Sequence, residues 1–447
     1  MPVGDRLRPS RRRASLGVRV LALAGILSCA STDRPNTRAA APTQPTRSAA
    51  TQASVSQTPS GPPTQTQTRS ARAGEFNLAP IARPEEPDTE YPWGVVHSPI
   101  TEGIVARLRQ LEAEHPDLRR DRFIKVGDSM TRSPKFLACL ADSTPPADPA
   151  LRATLDALRA SGIDLFRRES LSAENGWSAW QPLAGNPPPL LRELAAVGGR
   201  FALVMLGTND IETSRVTTFA RRWMRLIDSL LERGVIPLVS TIPERRDRLE
   251  SRIKVPRFNA AIRAIAQDRQ VPLVDLHQAL SGLPGEGLTS DGIHPSVLRV
   301  RGLVEACDFG PRGLQHGFNV RNLVSLEALH RARSALEGDW VEPAPISKHN
   351  ALPSVRRLAL KDADSPSAAM SFELTETTRV EVLALSAARA QPLGITLCSE
   401  GDRVPCTRAA QGFLRTLPLP KGNYSLVVSG PAGRALVALL RGRSGGS

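Results

Sequence analysis

Between residues 120 and 340 the chain repeats one pattern, a short apolar run followed by an amphipathic segment, and this limits the fold more than any other feature. The runs at 123–126 (FIKV), 164–168, 201–206 (FALVML), 235–242 (VIPLVSTI) and 271–276 (VPLVDL) read as five strands. Segments 100–119, 149–161, 189–197, 219–233, 257–267 and 320–336 read as helices; in the first, Ile104, Leu108 and Leu111 recur at helical spacing. Strands alternating with helices imply βαβ units and a parallel sheet covered on both faces. The expected fold class is therefore α/β, with five parallel strands. In such sheets ligands bind beyond the carboxyl ends of the strands, so the residues at those ends carry the functional information.

Three of the five ends are polar and reactive. Gly127-Asp128-Ser129 follows the first strand, and Gly207-Thr208-Asn209-Asp210 follows Leu206. After the last strand comes a glycine-rich loop and then Ser290-Asp291-Gly292-Ile293-His294-Pro295. A serine hydroxyl is a weak nucleophile until a base takes its proton. His294 is the candidate base. Asp291, three residues earlier on the same loop, can hold one imidazole nitrogen while the other faces Ser129. Attack on an ester creates an oxyanion, which needs donors already in place. The candidates are the Ser129 amide, the Asn209 side chain and the backbone of Gly176 in Asn175-Gly176-Trp177, where no Cβ obstructs the approach.

Gly127-Asp128-Ser129, the Gly176 loop, Gly207-x-Asn209-Asp210 and Asp291-x-x-His294 resemble, in order, the four blocks of the SGNH (GDSL-type) hydrolase superfamily. The resemblance covers residues 100–340. It implies a flavodoxin-like sheet of five parallel strands, with Ser129 as nucleophile, Gly176 and Asn209 as oxyanion donors, and His294 as base with Asp291 behind it. Met130 stands where the family name has Leu, a swap of similar volume. About twenty residues separate His294 from the closing helix, including Cys307 and the GPRG at 310–313. This insertion and segment 130–148 border the site and would shape access to it; His316 is a further candidate near the rim. Asp128 and Asp210 read as loop braces, His277 as structural, and Trp177 and Trp180 as either pocket wall or core. The spacing of His97, His115, His330 and His349 is not that of a metal site, so no metal and no cofactor is expected.

Residues 1–29 read as an export signal. Six arginines (Arg6, Arg8, Arg11, Arg12, Arg13 and Arg19) precede a short apolar stretch at 20–27 (VLALAGIL), too short to span a bilayer. It ends at Ile26-Leu27-Ser28-Cys29, which resembles a bacterial lipobox and makes Cys29 the candidate lipidation site. Residues 30–75 are rich in Ser, Thr, Pro and Gln and read as a disordered tether. The expected location is the cell envelope, lipid-anchored on the outer membrane or the periplasmic face, or else secretion. An exported chain can form disulfides. Cys139, Cys307, Cys398 and Cys406 allow three connectivities. Cys398 and Cys406 flank a Gly-Asp turn and suit a hairpin staple, which would leave Cys139 to pair with Cys307.

The expected hydrolase region is 76–345. From 352 the pattern changes to short alternating runs at 370–374, 380–385, 394–397, 424–428 and 435–440 separated by turn residues. This predicts an all-β sandwich or jelly roll over 350–447. Its aromatics, Phe372, Phe413 and Tyr424, are too few to furnish both a core and a sugar platform, so a spacer role is favoured over sugar binding. The formal net charge is +14, of which +8 falls in the first 75 residues; the rest is scattered without aromatic interleaving, and nucleic acid is not an expected partner. The reading is an exported serine esterase acting on carboxylic esters, carbohydrate O-acetyl esters among them, borne by a small molecule or a glycan. The rivals are an O-acyltransferase using the same residues and a surface lipoprotein with a degenerate hydrolase fold.

Overall fold

The computed structural model describes residues 89–142, 146–345, 352–360, 367–388, 391–401 and 404–442. The signal at 1–29, Cys29 and the tether at 30–75 lie outside the described residues. A parallel sheet in the order β1-β2-β3-β4 is built from Arg119–Gly127, Gly199–Met205, Ile236–Ser240 and Leu273–Val274. Every residue of β2 is buried, as expected for a strand covered on both faces. The helices are α1 (Glu102–Glu114), α2 (Ser129–Arg132), α3 (Pro149–Arg159), α4 (Pro189–Val197), α5 (Asp210–Thr213), α6 (Val216–Leu231), α7 (Leu249–Arg269), α8 (Leu276–Leu280) and α9 (Gly317–Glu337). On α6 the buried set Phe219, Ala220, Trp223, Met224, Ile227, Leu230 and Leu231 forms one stripe at helical spacing.

The sheet has four strands where five were expected. Residues 164–168 form turns. Leu165 and Phe166 are both buried, but the backbone bonds to itself, with Leu165 N–H donating to Ile163 O and Arg168 N–H to Asp164 O. The carbonyls of Phe166 and Arg168 accept from Lys125 Nζ, at 3.0 and 2.9 Å, instead of from a ladder. The position beside β1 is taken by a single parallel bridge, Ala173 to Gly127, with Gly127 N–H donating to Ser172 O and Glu174 N–H to Gly127 O.

After β4 the chain forms a small hairpin, β5 (Arg299–Val300) with β6 (Leu303–Val304). Cys307 beyond it is bonded to Cys139, and Cys398 is bonded to Cys406. The C-terminal strands are β7 (Ser354–Leu360), β8 (Ser367–Leu374), β9 (Thr378–Ser386), β10 (Gly394–Ser399), β11 (Thr407–Ala409), β12 (Phe413–Leu419), β13 (Gly422–Ser429) and β14 (Gly433–Arg441). They make two antiparallel sheets, β11-β10-β13-β8 and β12-β9-β14-β7. Both contribute to one buried cluster that includes Phe372, Val382, Leu397, Leu426 and Val437.

This module is packed onto the α/β part. Val355, Leu383, Leu385, Leu436 and Ala438 join the core of the parallel-sheet region. Arg257 of α7 makes a two-pronged pair with Glu381 (2.7 and 2.8 Å), and Arg269 Nη1 donates to Ala387 O (3.0 Å). Helix α7 thus has partners on two sides, which is why its second half is buried nearly all round. Among the described residues no helix is long and apolar enough to cross a membrane.

Candidate active site

The site lies at the carboxyl ends of the strands. Strand β1 ends in Gly127, and the chain turns at once into α2, where Asp128 is the N-cap and its Oδ1 accepts from Met130 N–H (3.0 Å). A Cβ on Gly127 would fall 2.1 Å from Thr131 Oγ1 and 2.9 Å from Met205 O, so only glycine permits this tight exit. The turn places Ser129 at the start of α2, half-buried, with its hydroxyl toward the loop after β4.

Ser129 Oγ lies 3.0 Å from His294 Nε2, and His294 Nδ1 lies 2.8 Å from Asp291 Oδ2. With the proton on Nδ1, Asp291 accepts from the ring and Nε2 accepts from the serine. Asp291 Oδ1 takes three more donors: Thr289 Oγ1 (2.7 Å), Ile293 N–H (2.8 Å) and His294 N–H (3.0 Å). Partial burial pushes the Asp291 carboxyl up, but the Ile293, Thr289 and His294 donors outweigh it and hold it well below the usual carboxylate range. Gly292 has φ +69°, and a Cβ there would lie 2.7 Å from Asp247 N. The histidine loop can therefore press against segment 244–248, where Arg246 N–H donates to Gly292 O (2.8 Å).

Asn209 Nδ2 donates to Trp177 O (2.8 Å), tying the end of β2 to the Gly176 loop and leaving its second amide hydrogen uncommitted. Gly176 has φ +77° with open space where a Cβ would stand. Glycine is required there by backbone conformation, not by lack of room. Among the described residues the amide hydrogens of Ser129 and Gly176 have no acceptor. The structure thus brings Ser129, His294 and Asp291 into one hydrogen-bonded run and sets Asn209 beside the Gly176 loop.

Asp210 Oδ2 accepts from Ala179 N–H (2.8 Å), bracing that loop, and burial raises its carboxyl to about 6 against the opposing effects of Ala179 and Arg222. A carboxyl with a raised folded-state value favours folding most below its unfolded value and loses that contribution as pH rises through about 6. Asp210→Asn should therefore remove about 1 kcal/mol of the stability gained between pH 7 and pH 5. Urea unfolding of both proteins at the two pH values checks this; an unchanged slope would contradict it.

Two arginines at the site had no signal in the sequence. Arg321 of α9 is buried behind α2, donating to Met130 O (2.6 Å) and Thr131 Oγ1 (2.9 Å) and stacking 3.8 Å from the Phe136 ring. It also faces Asp128, whose carboxyl burial raises to about 6 despite Arg321, Met130 and His294. Arg245 joins three segments at the rim, donating to Thr208 O (2.8 Å), Glu212 Oε1 (2.6 Å) and Asp247 Oδ1 (2.7 Å). His277 lies apart from the serine, with Glu244 3.6 Å from its ring. His316 is the N-cap of α9, and no side-chain hydrogen bond joins it to the site among the described residues.

Residues 126–298 match the model of the GDSL-like lipase/acylhydrolase family. No curated protein matches. Among solved structures, a GDSL-like lipase from Bacteroides thetaiotaomicron is 14% identical, covering 51% of this chain and 99% of its own, with a TM-score of 0.32. An acetyl xylan esterase from Geobacillus stearothermophilus is 15% identical, covering 46% and 93%, with a TM-score of 0.31. A putative acylhydrolase from Bacteroides fragilis is 16% identical, covering 55% and 100%, with a TM-score of 0.32. The matched segment runs from the end of β1 through the histidine loop and contains every block described above, so residues 126–298 form a GDSL-like lipase/acylhydrolase region, a serine hydrolase of carboxylic esters.

Proposed function

We propose that the chain is an exported, lipid-anchored esterase that cleaves carboxylic esters, carbohydrate O-acetyl esters among them, through an acyl-enzyme on Ser129. The observation that carries the mechanism is the run from Ser129 Oγ through the His294 ring to Asp291 (3.0 and 2.8 Å), beside amides that have no acceptor among the described residues. In this mechanism His294 Nε2 takes the Ser129 proton as Oγ attacks the carbonyl carbon. The carbonyl oxygen becomes an oxyanion between the Ser129 and Gly176 amides and the Asn209 side chain. Collapse breaks the bond to the alkoxy oxygen, which leaves with the proton from His294. Water, deprotonated by the same nitrogen, then releases the acid and restores Ser129.

The glycan assignment is supported by the openness of the rim, since the side chains of His294 and Asp291 are 41% and 46% exposed, which suits a hydrophilic ester carried on a polymer. The export assignment is supported by the arginine-rich start with its short apolar stretch and by two disulfides, which belong to oxidising compartments. Anchoring through Cys29, with 30–75 as tether, would hold the domain off the membrane surface. The two C-terminal sheets, with their shared core, are read as a sandwich serving as spacer; Phe372 and Tyr424 stack inside it, 5.8 Å apart.

A fluorophosphonate probe tests the nucleophile. Ser129 Oγ should displace fluoride at phosphorus and keep the phosphonyl group, and peptide mapping should find one adduct, on the peptide that contains Ser129. No adduct, or an adduct elsewhere, would overturn the assignment.

A further inference from the structure

One cavity is not used by the chemistry above. It has a volume of about 440 Å³, within the roughly 300–1,000 Å³ of small-molecule sites, and opens between α5, α6, α7 and the loop before β12. Its walls include Glu212, Arg215, Lys254, Arg257, Gln411 and Phe413. Both the α/β part and the C-terminal module therefore contribute to it.

The charges in these walls do not cancel. Glu212 is paired with Arg245 (2.6 Å), and Arg257 with Glu381 (2.7 Å). Arg215 and Lys254 have no carboxylate within ion-pair distance among the described residues. Arg215 Nη1 donates to Gln411 Oε1 (3.3 Å) and Lys254 Nζ to Ile211 O (3.0 Å), so each keeps further N–H donors uncommitted. The first turn of α6, which no side chain caps, lies in the same wall and adds positive potential. The Phe413 ring lines the same cavity, with the Arg257 guanidinium 5.1 Å from its centre. Two cations beside one aromatic face suit a sugar ring that bears a carboxylate.

Helix α5 links the cavity wall to the end of β2 that carries Asn209. Helix α5 begins at the residue after Asn209 and ends at Thr213 in the cavity wall. Four residues of helix rise about 6 Å, a step comparable to one sugar ring.

We propose that this cavity is a subsite for an acidic sugar, so that the preferred ester is carried on a glycan bearing carboxylates near the acylated unit. The inference rests on the reading of Ser129 as an esterase nucleophile and names the substrate class for that site. The C-terminal module is then more than a spacer, because Gln411 and Phe413 complete the subsite.

Binding is measured with the full chain carrying Ser129→Ala, so that bound esters survive. O-acetylated oligogalacturonide and O-acetylated xylo-oligosaccharide of equal length are compared by calorimetry. The acidic ligand should bind about tenfold more tightly, the scale of one charge-assisted hydrogen bond. That advantage should shrink between roughly 0.05 and 0.5 M NaCl. Arg215→Glu on the same background changes an exposed side chain and should abolish the preference; Lys254→Gln gives an independent second reading. Equal affinity for the two ligands, no binding of the acidic one, or a preference that survives Arg215→Glu would overturn the subsite. If the unaltered protein takes the phosphonate on Ser129 while the preference is absent, the esterase reading stands and the subsite falls. If the phosphonate fails to label, the reading falls, and the calorimetry still reports on the cavity by itself.

Discussion

Ser129→Ala should lower kcat/KM for p-nitrophenyl acetate by about 10⁴-fold or more while leaving the fold intact. The size of the loss follows from the surroundings of the hydroxyl. The neighbouring hydroxyl on α2 cannot replace it, because Thr131 is buried and its Oγ1 accepts from Arg321. His294, deprived of its partner, can activate only water, and the oxyanion donors alone retain a small fraction of catalysis. Stability should change little, within about 0.5 kcal/mol, since among the described residues the one side-chain hydrogen bond lost is that to His294. Initial-rate kinetics together with thermal unfolding separate the two effects. A variant that still turns over the ester at a comparable rate would remove Ser129 from the mechanism, and one that fails to fold would show that the hydroxyl also supports the α2 turn.

The same geometry explains how much of the site could be read in the sequence. Ser129 and Asn209 each stand just beyond a buried apolar run, so strand placement alone put them on one rim. Asp291 and His294 share one loop, and their separation suited a carboxylate held behind an imidazole. The fifth strand was misread for a physical reason: 164–168 contains buried Leu165 and Phe166, but their neighbouring carbonyls are taken by the Lys125 ammonium, a contact 41 and 43 residues away in sequence. Gly292 was legible as a glycine but not as a contact, since its need arises from the Asp247 backbone on a different loop. Arg321 was invisible for a related reason. An arginine on a helix reads as solvated, and only the folded chain shows Arg321 seated on Met130 O. The packing of the C-terminal module on α7 was likewise hidden, because it is built from pairs such as Arg257 with Glu381, 124 residues apart. Local pattern thus revealed what each strand end offers, whereas the supports behind those ends depend on contacts distant in sequence.

Asp291→Asn separates orientation from bulk in the histidine loop. The amide oxygen can take the place of Oδ1 and keep the donors from Thr289, Ile293 and the His294 backbone, so the loop should hold its shape. The amide nitrogen then stands where Oδ2 now accepts from His294 Nδ1. A donor facing Nδ1 favours the tautomer protonated on Nε2, and that nitrogen can no longer accept the Ser129 proton. A fully buried carboxylate in this role is worth about 10⁴ in kcat. Here the Asp291 side chain is 46% exposed, and solvent screens its support of the imidazolium, so the expected loss is smaller, about 10²- to 10³-fold. The loss should appear in kcat with KM nearly unchanged, because the exchange alters proton transfer and not ester binding. Fluorophosphonate labelling of Ser129 should slow in parallel, since both reactions need the same deprotonation. If activity falls while labelling keeps its rate, Asp291 acts after the serine is activated; if neither changes, His294 is oriented by the surrounding loop, and the carboxylate is only a brace for the turn from Thr289 to His294.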